Sequence, residues 1–103
     1  MNREKKIYLK RYLLQESKIS RFNQMKILDP KREKLYQQKI SIAKTIRKEI
    51  ENKIETVDDD LLKEILYNKY ILGKTLEEIS LVINYSKRHV ERLHIKALEK
   101  III

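Results

Sequence analysis

The chain contains no cysteine, and it has one glycine and one proline in 103 residues. Without cysteine there is no disulfide, no thiolate metal site and no cysteine nucleophile. So few glycines and prolines leave little with which to build tight β turns, so a mostly helical chain is expected. A phosphate-cradling glycine loop, a nucleophile elbow and a carboxylate dyad with a base partner are all missing from the sequence. Neither enzymatic activity nor a cofactor is expected on that basis. No apolar run approaches the roughly 20 residues of a membrane span, and "MNREKKIYLKRYLL" at the start has no apolar signal-peptide core. The expected location is the cytoplasm, with no membrane partner.

What the chain has in excess is positive charge: 24 Lys and Arg against 15 Asp and Glu, a net +9. That balance points to a polyanionic partner, nucleic acid foremost, against the plainer reading of a solvated basic surface. The excess is lopsided, with 16 cations and 6 anions up to Lys53 and then 8 and 9 from Ile54 onward. Lys5, Lys6, Lys10 and Arg11 are therefore expected to track a DNA backbone or the acidic groups of a protein partner. The acidic second half has one basic stretch, Ser86 to Lys100, where Lys87, Arg88, Arg92, Lys96 and Lys100 stand against only Glu91 and Glu99.

Apolar periodicity divides the chain into helices. The first is expected from Arg3 to Ile27, with Ile7, Tyr8, Tyr12, Ile19, Phe22 and Met25 on one broad stripe that Gln15 and Glu16 interrupt. "LDPKRE" stops it, with Asp29 expected to cap and Pro30 to take the first position of the next helix. The second helix, Lys31 to Glu55, carries Tyr36, Ile40, Ala43, Ile50, Ile54 and Val57 at alternating spacings of four and three, with Arg47 in the one missing place. This narrow stripe suits a coiled-coil seam. It can close on the first helix as an antiparallel hairpin or on a second chain as a dimer, and a dimer is the favoured expectation. "VDDD" at Asp58 to Asp60 reads as a cap with first-turn acids rather than a metal site, since consecutive side chains diverge around a helix. The third helix, Leu61 to Leu72, turns Leu62, Ile65, Leu66 and Tyr70 inward, and Gly73 follows where a left-handed residue is wanted. Thr75 and Glu78 form a capping box for the fourth.

The stretch "TLEEISLVINYSKRHVERLHIKAL" then breaks its helical rhythm at "NYS" and resumes with two cations. Two short helices meeting over a tight turn need a fixed set of buried positions, and Ile79, Ile83, Tyr85, Val90 and Leu93 occupy them. Ser80 falls where the helices come close. Asn84 falls where the turn usually carries glycine, and asparagine tolerates positive φ. Ser86 is placed to cap the last helix. Lys87, Arg88, Glu91 and Arg92 turn away from Val90 and Leu93, toward whatever that helix faces. Cations at a helix start oppose its dipole, so phosphates are the partner that makes sense of them. His89 is expected at phosphate or solvent and His94 at the edge of the core. Five apart, the two do not share a face, and no metal site is expected. Tyr85 is expected to plug the core, and the closing "KIII" to pack on the first helix or to mediate self-association.

With these residues in view, "LLKEILYNKYILGKTLEEISLVINYSKRHVERLHIKALEKI" resembles the sigma-70 region 4 type of helix-turn-helix. It resembles more closely the small phage and prophage transcription regulators of the ArpU/RinA-like type, in which a basic helical half precedes such a motif. The strings "YI.GKTLEEI" and "YS.RHV.RLH..AL" carry the likeness, which covers about Asp58 to Ile101. It implies a regulator bound to double-stranded promoter DNA in the host bacterial cytoplasm, with host RNA polymerase as a further partner. Ser86, Lys87, Arg88, Glu91 and Arg92 fall on its DNA-facing positions, with His89 and Lys96 beside them. The other sigma regions are absent, and the order of charges at Lys87 to Glu91 is this chain's own, so no base preference carries over. The expected fold is all-α: a long helical hairpin or coiled-coil segment over residues 1–57, then a three-helix helix-turn-helix unit over 58–103. The competing expectation is a helical adaptor that binds a protein, such as RNA polymerase or a phage assembly partner, without reading DNA.

Overall fold

The computed structural model describes residues 2–103. Among them there are helices and no strands. The elements are α1 (Asn2–Leu28), α2 (Glu33–Glu55), α3 (Asp60–Leu66), α4 (Leu76–Ile83) and α5 (Lys87–Lys100). A 3-10 turn, Pro30–Arg32, joins α1 to α2, and a π-helical turn, Tyr67–Ile71, extends α3. No helix among the described residues is long and apolar enough to cross a membrane.

α1 and α2 fold back on each other as an antiparallel hairpin. Every apolar residue of the α2 stripe, Tyr36, Ile40, Ala43, Ile50, Ile54 and Val57, is buried within the one chain. Burial of each larger member contributes about 1.5–3 kcal/mol. The seam is therefore used inside the molecule. Two of the three breaks in the apolar patterns answer one another, because Arg47 donates to Glu16 across the hairpin at 2.8 Å. Gln15, the other break, is itself buried. The α1 face differs from the anticipated stripe. Leu9 is fully buried and Ile7 is half exposed, so the inward line runs Leu9, Tyr12, Gln15. Tyr12 donates its hydroxyl to Glu51 at 2.8 Å, and burial followed by that carboxylate pushes its pKa up. Asp29 makes no side-chain cap. It accepts instead from the Tyr36 hydroxyl at 3.2 Å, and Pro30 opens the 3-10 turn, so α2 starts at Glu33 rather than Lys31.

The hairpin and the three C-terminal helices share one core. Leu9 and Tyr12 of α1, Ile50 and Ile54 of α2, Leu62 and Leu66 of α3, and Ala97 and Leu98 of α5 all belong to it. The segments 1–57 and 58–103 are thus held together by apolar contacts. Ile101 closes this core, while Ile102 and Ile103 stay exposed. Of the two expectations for "KIII", packing on the first helix holds for Ile101.

α3 starts on the cap that "VDDD" promised, with the Asp59 carboxylate accepting from the Leu62 N–H at 3.0 Å. The π turn then widens the helix by one residue, and both Asn68 and Tyr70 end up buried with Lys69 between them. Gly73 leaves the turn at φ +72, with the Leu13 side chain 3.4 Å from where a Cβ would stand. The positive φ favours glycine here, while a Cβ would meet Leu13 only in ordinary van der Waals contact.

Candidate nucleic-acid interface

α4 and α5 are two short helices joined by Asn84, Tyr85 and Ser86. At the head of α4, Thr75 accepts from the Glu78 N–H at 3.1 Å, while the Glu78 carboxylate accepts from the Thr75 N–H at 2.9 Å. The Thr75 N–H, followed by the Thr75 side chain, holds the Glu78 carboxyl below its usual pKa. At the tail, Asn84 adopts φ 60 and ψ 41, and the Tyr85 N–H reaches back to the Ser80 carbonyl at 3.2 Å. This is the left-handed helix stop that "NYS" suggested. Ser86 then caps α5, accepting from the His89 N–H at 3.1 Å. Ile79 and Val90 are fully buried against Ile65 of α3, with Ile83 and Leu93 packed beside them. Because Asn84 holds a left-handed conformation, Asn84→Gly should leave the melting temperature almost unchanged. Asn84→Val should cost about 1–2 kcal/mol, read by urea denaturation.

Tyr85 does not plug this core. The left-handed residue before it swings it to the surface, where it is 42% exposed and takes the His89 ring edge-on at 4.9 Å between centroids. Ile79, Ile83, Val90 and Leu93 suffice to close the space between the helices. His94 goes further inside than the core edge. It is buried, and its Nε2 lies 2.7 Å from the Tyr70 hydroxyl. Burial, aided by the charges of Lys69, Lys6 and Lys10, pushes its pKa down to about 4. A histidine that is neutral when folded and ordinary when unfolded stabilises the fold fully above about pH 6.5. That stability is lost as pH falls from 6.5 toward 4, by up to about 1.4 kcal/mol per pH unit. Denaturation at pH 7.5, 6.5 and 5.5 should show the decline, and His94→Gln should flatten it.

Ser86, Lys87, Arg88, Glu91, Arg92 and Lys96 are all exposed, and His89 is partly so. Together they form the outward surface of α5, from its first turn to Lys96. Two of the cations already have neighbours that the sequence did not reveal. Lys87 donates to Glu77 in the first turn of α4 at 3.1 Å, and Arg92 lies 3.3 Å from His89 Nδ1. The Lys87 pair offsets part of the dipole cost of a cation at a helix start, but both partners are well exposed, so its own worth is small. Arg88 has no partner among the described residues. These residues contain no cluster of three or more groups able to hold a metal ion. No protein-family profile, curated protein or solved structure matches this chain.

Proposed function

We propose that the chain is a sequence-specific DNA-binding transcription regulator of the phage or prophage kind, acting in the bacterial cytoplasm. It would read promoter DNA with α5, in line with the resemblance of "LEEISLVINYSKRHVERL" to the sigma-70 region 4 motif. One observation carries this reading. The Asn84 turn and the Ser86 cap start a helix whose buried side, Val90, is fixed to Ile79, while Lys87, Arg88 and Arg92 stand exposed on its N-terminal turns. Such a helix end suits a major groove, where arginine pairs with guanine through two bonds. A salt-dependent mobility shift on the chain's own genomic neighbourhood tests it. One fragment should bind at least about a thousandfold tighter than scrambled DNA, and equal affinity for both refutes sequence-specific reading.

The adaptor reading is favoured by the outer face of α4, where Leu81 is 82% and Val82 57% exposed. Host RNA polymerase is the partner that either reading accommodates. Replacing both residues by serine should leave DNA affinity unchanged under the first reading and abolish polymerase capture under the second. A homodimer through the α2 stripe would require the hairpin to open. Sedimentation equilibrium at tens of micromolar, with and without DNA, decides that point.

A further inference from the structure

Lys10 of α1, Lys69 of the π turn and Lys74 just after it come together where α1 crosses that turn. Lys6 and Lys10 lie one helical turn apart on α1, and Lys69 stands between the buried Asn68 and Tyr70, its ammonium 5.8 Å from the Tyr70 ring centre. Lys10, Leu13, Lys69, Tyr70, Gly73 and Lys74 line a concavity of about 310 Å³ at this place. Burial, followed by the charges of Lys10 and Lys6, pushes the Lys69 ammonium pKa down. None of the three makes an ion pair among the described residues. The acids at the adjoining end of α4 are engaged elsewhere, Glu78 with the Thr75 N–H and Glu77 with Lys87. Like charges gathered without a counter-charge oppose folding unless an anion joins them.

We propose that Lys10, Lys69 and Lys74, with Lys6 one helical turn away on α1, form a binding site for a phosphate group. The lysine ammoniums supply point charges and donors, Tyr70 and Leu13 wall the site on its apolar side, and Gly73 keeps its mouth clear of a side chain. A DNA backbone or free inorganic phosphate could supply that group. The DNA source rests on the function proposed above. It fits the layout, because both the lysine site and Lys87 border the N-terminal end of α4. A phosphate held there would anchor the duplex beside α5 without reading sequence.

The test uses the full chain, the Lys10→Gln, Lys69→Gln double variant and, as a control of equal charge change, Lys34→Gln, Lys44→Gln on α2. Relief of the crowded charges should let the first variant melt at or above the parent. In the first arm, inorganic phosphate is titrated at constant ionic strength while lysine Cε–Hε signals are followed by NMR. Saturable shifts at Lys10 and Lys69 are expected. In the second arm, affinity for double-stranded DNA is measured against salt. The double variant should weaken binding to all sequences alike and lower the log–log salt slope by about 0.9, with the control unchanged. Both effects together assign the phosphate to DNA, and phosphate shifts alone assign it to the free ion. If the double variant loses DNA while an Arg88→Ala, Arg92→Ala chain keeps it, the lysine site stands and α5 is not the reader. The site is overturned if phosphate gives no saturable shift and the double variant behaves as the control does.

Discussion

Val90→Asp should destroy the folded state. Val90 is fully buried with Ile65 and Ile79, and a carboxylate there would be ionised without a partner or protonated at a cost. Either way the loss should exceed about 4 kcal/mol, a large share of the roughly 5–15 kcal/mol that holds a small domain together. The damage should not stop at α4 and α5. Ala97 and Leu98 of the same helix lie in the core shared with Leu9, Ile50 and Ile54, so the hairpin should lose helicity with them. Val90→Ala, which only removes methyl groups, should cost about 1–2.5 kcal/mol and keep the chain folded. Far-ultraviolet circular dichroism on heating checks both. A Val90→Asp chain that melts with the parent would mean that α5 is not held through this contact.

The Arg88→Ala, Arg92→Ala double variant should do the opposite, keeping the fold and losing the specific fragment. Both side chains are exposed and neither is in an ion pair, so the melting temperature should hold or rise slightly once cations opposing the helix dipole are gone. If each arginine makes one good base contact, worth on the order of 1–3 kcal/mol, specific binding should weaken by roughly 30-fold to well over a thousandfold. Binding to scrambled DNA should weaken far less. Thermal melting beside titration of both DNAs measures this. Unchanged affinity for the specific fragment at physiological salt would give the adaptor reading the field.

Some of the fold could be read from the amino acids because one helix face or one turn decides it. The α2 stripe is long and one-sided, so its six apolar members name the seam without help. The Thr75–Glu78 box, the Asp59 cap and the left-handed Asn84 are local devices whose hydrogen bonds span three to five residues. Where contacts cross between elements, the sequence is mute. Glu16 and Arg47 look like flaws in two separate patterns until the hairpin brings them together at 2.8 Å. Lys87 and Glu77 are paired only because the turn folds α5 back to the start of α4. Leu9 is hidden behind Ile7 and Tyr8 in the sequence, since three consecutive apolar positions on a helix leave the inward one undecided. The π turn buries Asn68 as well as the expected Tyr70, and a fixed period of 3.6 cannot anticipate that. Tyr85 is apolar enough for a core, yet the backbone before it decides its direction.

The N-terminal basic residues also take on a different character once α1 is in place. Removing residues 1–11 would take Leu9 from the core, so point substitutions, rather than a truncation, isolate their charge. Lys5 already reaches the Glu99 carbonyl at 3.4 Å, which ties the start of α1 to the end of α5.

The central claim is that the outward surface at the start of α5 meets DNA. Amide chemical-shift mapping on the isotope-labelled full chain, titrated with the specific duplex, tests it most directly. The account predicts that the largest changes fall on Ser86 to Arg92, with a smaller set near Lys10 and Lys69 and none at the hairpin end around Ile27 and Leu35. Changes confined to that hairpin end or to Leu81 and Val82, with Ser86 to Arg92 unmoved, would contradict it.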